Sequence, residues 1–95
     1  MRYEWDEAKR QANLEKHGVD FAEAEKFNWD EAIIEPDDRR DHGEQRLRAL
    51  GPISGRLYAL ACVHRGDAIR IIRLRKANRR EFNYYVQEIQ IDSTD

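Results

Sequence analysis

The sequence predicts an α+β domain: an antiparallel sheet of about four to five strands, two N-terminal helices and one C-terminal helix. Three observations carry that expectation. Two helical patterns with acidic starts occupy the first third, Asp6 to His17 and from Asp20 onward. From Ala32 to Arg75 the pattern changes to short apolar or alternating runs broken by Pro, Gly and charged turns, as strands are. After Asn78 the helical pattern returns. The 95 residues, 40% hydrophobic and 38% charged, hold enough apolar material for one core. A single domain over residues 1–90 is expected, with 91–95 as a frayed tail.

Arg2 to Trp5 alternates and reads as an opening strand. Asp6 caps a helix that runs to about His17, and Gly18 stops it in the left-handed conformation. Asp20 caps a second helix with Phe21, Ala24 and Phe27 or Trp29 on its apolar face. Ala32 to Glu35 is a short strand ended by Pro36, and Asp37 to Gly43 is a charged loop. Gln45 to Leu50 alternates, with Gly51-Pro52 closing it. Arg56 to His64 is apolar on both faces and takes a central place in the sheet. Arg65-Gly66-Asp67 forms a tight hairpin into a strand from Ala68 to Arg75. Asn78 and Glu81 are spaced as a capping box for the last helix. Trp5, Phe21 and Phe27 are core candidates, and His64 is read as structural.

Several classes of function are excluded at this level. The longest apolar run, Leu57 to Val63, falls far short of the roughly 20 residues that span a bilayer. No signal peptide is visible after Met1-Arg2-Tyr3-Glu4-Trp5-Asp6. A lone Cys62 rules out an internal disulfide, and a cytoplasmic protein is expected. His17, His42 and His64 have no metal-ligand spacing, so neither metal nor cofactor is expected.

The net charge of −2 hides a segregation. Residues 1–38 hold 5 basic and 12 acidic side chains, residues 39–80 hold 12 and 3, and residues 81–95 hold none and 4. Eleven of the 12 middle cations are Arg, which forks onto phosphate or carboxylate with two parallel hydrogen bonds. The basic block is therefore either a polyanion-binding surface or a surface neutralised by the acidic first third of the same chain.

Trp5-Asp6, Lys9, Asn13, Lys16-His17-Gly18-Val19 and Phe21 are spaced as in a known family. So are Asp41, Gly43-Glu44, Arg46, Ala49-Leu50-Gly51, Ile71-Ile72, Arg75-Lys76-Ala77, Arg80-Glu81, Tyr84 and Tyr85. On these residues the chain resembles the BrnT-type toxins over roughly residues 3 to 85. His42 and Arg73 depart from the family pattern, which has an aromatic and a small residue there. The resemblance implies a RelE-like fold and a ribonuclease toxin of a type II toxin–antitoxin pair. The partner it implies is a BrnA-like ribbon-helix-helix antitoxin, which alone would contact operator DNA. A hetero-oligomer with two toxins per antitoxin dimer is expected.

RNA cleavage without metal needs a base for the 2′-hydroxyl, cations for the crowded phosphorane and an acid for the leaving 5′-oxygen. Strict alternation from Ala68 to Arg75 puts Ile69, Ile71, Arg73 and Arg75 on one face and Arg70, Ile72 and Leu74 on the other. Arg73 and Arg75 would then emerge beside Arg79 and Arg80 of the last helix. Arg75 is the leading catalytic candidate. Glu44 shares a strand face with Arg46 and is a candidate base, or a cross-strand ion-pair partner. His17 is a candidate acid or base, or a cation at a helix C-terminus. Lys9, Asn13 and His17 form one polar stripe that faces RNA or solvent. Arg46, Arg73, Arg79, Arg80 and Tyr84 complete the RNA-binding candidates, and of Tyr84 and Tyr85 at most one faces substrate. Two readings remain at this level: a metal-independent endoribonuclease held inactive by its antitoxin, and a non-catalytic antitoxin-binding module acting as a co-repressor.

Overall fold

The computed structural model describes residues 2–37 and 44–93, with side chains to Ile89. Its elements are β1 (Arg2–Glu4), α1 (Glu7–His17), two 3-10 helices (Phe21–Lys26 and Trp29–Glu31), β2 (Ile33–Asp37), β3 (Arg46–Ile53), β4 (Arg56–Arg65), β5 (Ala68–Lys76) and α2 (Arg79–Ser93). The strands form one sheet in the order β1-β5-β4-β3-β2. Among the described residues no helix is long and apolar enough to cross a membrane.

The sheet is mixed, not antiparallel throughout. β2 to β5 pair antiparallel through short connections, but β1 lies parallel to β5. Parallel neighbours need a crossover, and here the intervening chain supplies it. The second N-terminal helix is also different from expectation. Phe21–Lys26 is a 3-10 helix, capped by the Asp20 carboxylate accepting from Ala22 N at 3.0 Å. Its three-residue period puts Phe21, Ala24 and Phe27 in one row, all buried. An α-helical turn would bring charged Glu25 toward that row instead.

Local signals set most boundaries. The Asp6 side chain accepts from Lys9 N at 3.0 Å, and Gly18 closes α1 at φ 71°. Asn78 and Glu81 exchange reciprocal hydrogen bonds of 2.8 and 2.9 Å at the start of α2. β3 runs past Gly51-Pro52 to Ile53, because the reversal lies at Ser54-Gly55, where both residues have positive φ as a type I′ hairpin turn requires. Pro36 sits inside edge strand β2, where a missing N–H costs no ladder bond. Of the expected charged loop, only Asp37 lies among the described residues, as the last residue of β2; Asp41, His42 and Gly43 lie outside them.

One sheet face is covered by the 3-10 helices. Phe21, Ala24 and Phe27 pack there with Ala49, Ile53, Leu60, Cys62, Ile69, Ile71 and Leu74, and Trp5 and Trp29 close the margin. Trp5 meets Phe21 edge-on at 6.2 Å between ring centroids. Cys62 is fully buried, which pushes its thiol pKa up to about 11 and leaves it as packing. His64, by contrast, is exposed rather than structural.

Gly51 is where Phe27 presses against the sheet. A Cβ there would stand 2.7 Å from the Phe27 ring and 3.0 Å from Ala32 Cβ. Gly51→Ala is therefore expected to cost about 1–3 kcal/mol, read as a lower urea midpoint at unchanged slope.

The register of β4 on β5 overturns the simple alternation expected in β5. Ala61 pairs with Arg73 but Cys62 with Ile71, so Ile72 is the extra residue of a β-bulge. The bulge resets the parity. Ile69 and Ile71 share the covered face with Leu74, while Arg73 and Arg75 turn to the opposite, open face. Without it, two guanidinium groups would have to follow two buried isoleucines into the core.

Candidate functional site

The open face of the sheet carries a groove of about 850 Å³. Pairing lays its side chains in three rows across the strands. The middle row is Glu35, Arg48, Ala61 and Arg73. The row nearer α2 is Ile33, Leu50, Ala59 and Arg75, and the outer row is Asp37, Arg46, Val63 and Arg70. The central strand thus contributes alanines to the first two rows, flanked by Arg48 and Arg73 in the middle row and by Leu50 and Arg75 in the row nearer α2. Small side chains make the floor; long cationic ones make the walls.

Among the described residues five guanidinium groups line this groove, Arg46, Arg48, Arg73, Arg75 and Arg80, together with Glu35, Asp37, Glu81 and Tyr84. Arg75 is the most firmly placed. It donates through Nη1 and Nη2 to the two Glu81 oxygens at 2.8 and 2.9 Å, and through Nη1 to Lys76 O at 3.3 Å. Its Nε–H and one Nη2 hydrogen stay unengaged among the described residues. Glu81 in turn accepts from Asn78 N, so the capping box of α2 and the Arg75 fork are one assembly. Arg70, in the outer row, pairs with Glu4 at 3.1 Å.

Helix α2 spans one end of the groove. Glu81 holds it to β5, the Tyr84 hydroxyl donates to Glu35 Oε2 on β2 at 2.8 Å, and the Tyr85 hydroxyl donates to Glu31 O at 2.6 Å. The two adjacent tyrosines do diverge: Tyr84 lines the groove and Tyr85 fastens the helix. The Glu35 carboxylate beside it raises the Tyr84 phenol pKa above its ordinary value.

Electrostatics fix the Arg75–Glu81 pair as ionised. The Arg75 hydrogen bonds hold the Glu81 carboxyl below the usual carboxylate range, more than offsetting its partial burial. A depressed folded-state pKa stabilises the fold above the unfolded value of about 4.3, and that contribution fades as pH falls through the folded value. The stability advantage of wild type over Glu81→Gln is accordingly expected at pH 7 and should vanish in acid, as followed by urea midpoints across that range.

The structure brings together Arg46, Arg73, Arg75, Arg80 and Tyr84 of the residues expected from sequence. Others it separates. Glu44 does not reach the groove lining; Arg65 forks onto it through Nε and Nη2 at 2.8 and 2.9 Å, and this pairing depresses its pKa. A carboxylate committed to a guanidinium is poorly placed as a base. Asn13 is buried, with its amide donating to Val19 O and Leu74 O and accepting from Leu74 N, so it does not face RNA. Lys9 and Arg79 are exposed on their helices outside the lining. His17 also lies outside it, half-buried one turn past Asn13. Burial lowers its pKa, with help from Lys16, Arg75 and Arg73, so the imidazole is neutral at pH 7.

Arg48 and Glu35 were not singled out from sequence. Arg48 was legible by its i+2 spacing from Arg46, which gives it the same strand face. Glu35 shares the parity of Ile33, but its pairing with Arg48 follows from register alone. Among the described residues no three His, Cys, Asp or Glu side chains are grouped to hold a metal ion.

A sheet face floored by alanine and walled by guanidinium groups defines a protein that handles a polyanion. The family model for the ribonuclease toxin BrnT of type II toxin–antitoxin systems matches residues 5–81, and the chain belongs to that family. It is thus a type II toxin with ribonuclease function, whose partner is an antitoxin and whose substrate is RNA. No curated protein matches the chain.

Proposed function

We propose that the open sheet face is the RNA-cleaving site, that cleavage proceeds without a metal ion, and that Arg48, Arg73 and Arg75 stabilise the phosphorane. The observation that carries this reading is the middle row. Arg48 and Arg73 flank Ala61 on neighbouring strands, leaving room above a methyl group for a phosphate between two cations. Arg75 stands in the next row with a guanidinium already oriented by Glu81. Fixed cations aimed where charge develops lower a barrier without reorganising during the reaction. Arg46 and Arg80 extend the cationic wall along the backbone, and Tyr84 offers a ring for stacking an unpaired base.

The partner in this reading is a BrnA-like ribbon-helix-helix antitoxin that covers the groove in the cytoplasm, with two toxins per antitoxin dimer and operator DNA contacted through the antitoxin. The chain is taken as one functional domain over residues 1–90, RelE-like in build. Induced expression in a bacterial host, wild type beside Arg75→Ala, tests the activity. Growth arrest with loss of bulk RNA, relieved in the variant, is the expected result. Normal growth with intact RNA at confirmed soluble expression would instead make the protein an antitoxin-binding co-repressor.

A further inference from the structure

We infer that Glu35 is the general base of this groove, the group that takes the proton of the attacking 2′-hydroxyl. The inference rests on the reading of the open face as the cleavage site. Among the described residues three carboxylates line the groove, Glu35, Asp37 and Glu81. Glu81 has both oxygens on the Arg75 fork and one of them on Asn78 N as well. Protonating it would release Arg75 and loosen the start of α2, so it serves position and not proton transfer.

Register separates the other two. Asp37 belongs to the outer row, where the floor is Val63, buried at 4% exposure, and the far cation, Arg70, is occupied by Glu4. Substrate has no small-residue floor in that row. Glu35 belongs to the row with the alanine floor and the two flanking cations. Its Oε2 accepts the Tyr84 hydroxyl at 2.8 Å, which fixes the plane of the carboxylate. Its Oε1 lies 3.9 Å from Arg48 Nη2, beyond hydrogen-bond distance, and its side chain keeps 45% exposure. One oxygen is therefore held, and the other, within ion-pair reach of Arg48, accepts no hydrogen bond among the described residues. Neighbouring strands are about 4.8 Å apart, so with a phosphate between Arg48 and Arg73 a preceding ribose lying on the β2 side comes within reach of this oxygen.

The step balances without a co-reactant. Glu35 accepts the 2′-hydroxyl proton as the 2′-oxygen bonds to phosphorus. The phosphorus–5′-oxygen bond then breaks, leaving a 2′,3′-cyclic phosphate. The departing 5′-oxygen takes a proton from solvent, and Glu35 returns its proton to solvent. General-base catalysis of this kind contributes about 10²–10⁴-fold.

The test is cleavage of a single-stranded RNA oligonucleotide by the full-length chain, comparing wild type with Glu35→Gln, Asp37→Asn and His17→Gln. Circular dichroism and urea midpoints confirm folding of each. For Glu35→Gln, kcat should fall at least about 100-fold with KM within a few fold, and the acid limb of the pH–rate profile should disappear. Asp37→Asn and His17→Gln should retain that limb. Glu35→Asp, which keeps a carboxylate on a shorter stem, should recover part of the rate and restore the limb. If wild type cuts and Glu35→Gln cuts equally with an unchanged profile, the inference is overturned alone. Loss of the limb in His17→Gln or Asp37→Asn instead would also overturn it. A wild type that cuts nothing overturns the reading of the groove and this inference with it.

Discussion

Asn13→Ala is expected to lower stability by about 2–4 kcal/mol, among the largest effects of any single polar substitution in this chain. Strand β1 covers the outer edge of β5 only through the register positions Ala68, Ile69 and Arg70. Beyond that point the Leu74 N–H and C=O have no strand beside them. The Asn13 amide takes the place of one, accepting from Leu74 N at 3.3 Å and donating to Leu74 O at 2.8 Å, with a further bond to Val19 O at 2.9 Å. Alanine would leave buried backbone groups unsatisfied, each worth about 1–3 kcal/mol and not fully additive. Urea unfolding should show a lower midpoint at unchanged slope. Asn13→Asp should be worse than alanine, because a carboxylate would face two carbonyl oxygens with no proton to offer. If either variant kept wild-type stability but lost RNA affinity, Asn13 would be a substrate contact after all.

This residue also shows where sequence reading stopped. Lys9, Asn13 and His17 do lie at helical spacing, and α1 has the bounds its caps predict, because Asp6 and Gly18 act within one turn of chain. Whether such a stripe meets solvent, RNA or a strand edge depends on which element lies against it, and that is not local information. The same distinction runs through the site. The Asn78–Glu81 box and the Gly66-Asp67 turn were legible because their partners are neighbours in sequence. The Ile72 bulge was not, since it is a property of how β5 meets β4, and a one-residue slip changes every face assignment beyond it. For Glu44 the sequence leaves a base and a cross-strand ion-pair partner both open, and only the fork with Arg65, 21 positions away, favours the second. Arg73 and Arg75 were found by composition and position even though the face assigned to them had the wrong company.

Arg75→Ala should reduce RNA cleavage by about 10²–10³-fold while costing the fold only roughly 1 kcal/mol. The two losses have different origins. The structural one is the ion pair with Glu81, whose side chains are 27% and 24% exposed, and the Asn78–Glu81 cap survives it. Tyr84 and Tyr85 continue to hold α2 to Glu35 and Glu31. The functional loss is a guanidinium fixed in the Ala59 row, next to the middle row, with two hydrogens unengaged among the described residues. Arg75→Lys should recover little, since an ammonium cannot both fork onto Glu81 and present further donors in one plane. A double-mutant cycle decides between the roles. If Arg75 serves only to seat α2, Glu81→Gln should cost as much activity as Arg75→Ala, and the double variant no more. If Arg75 meets the phosphate, Glu81→Gln should cost little by comparison, because a loosened guanidinium still carries its charge and donors. The cleavage rate of Glu81→Gln, set against its urea midpoint, therefore separates a phosphate ligand from a helix fastener.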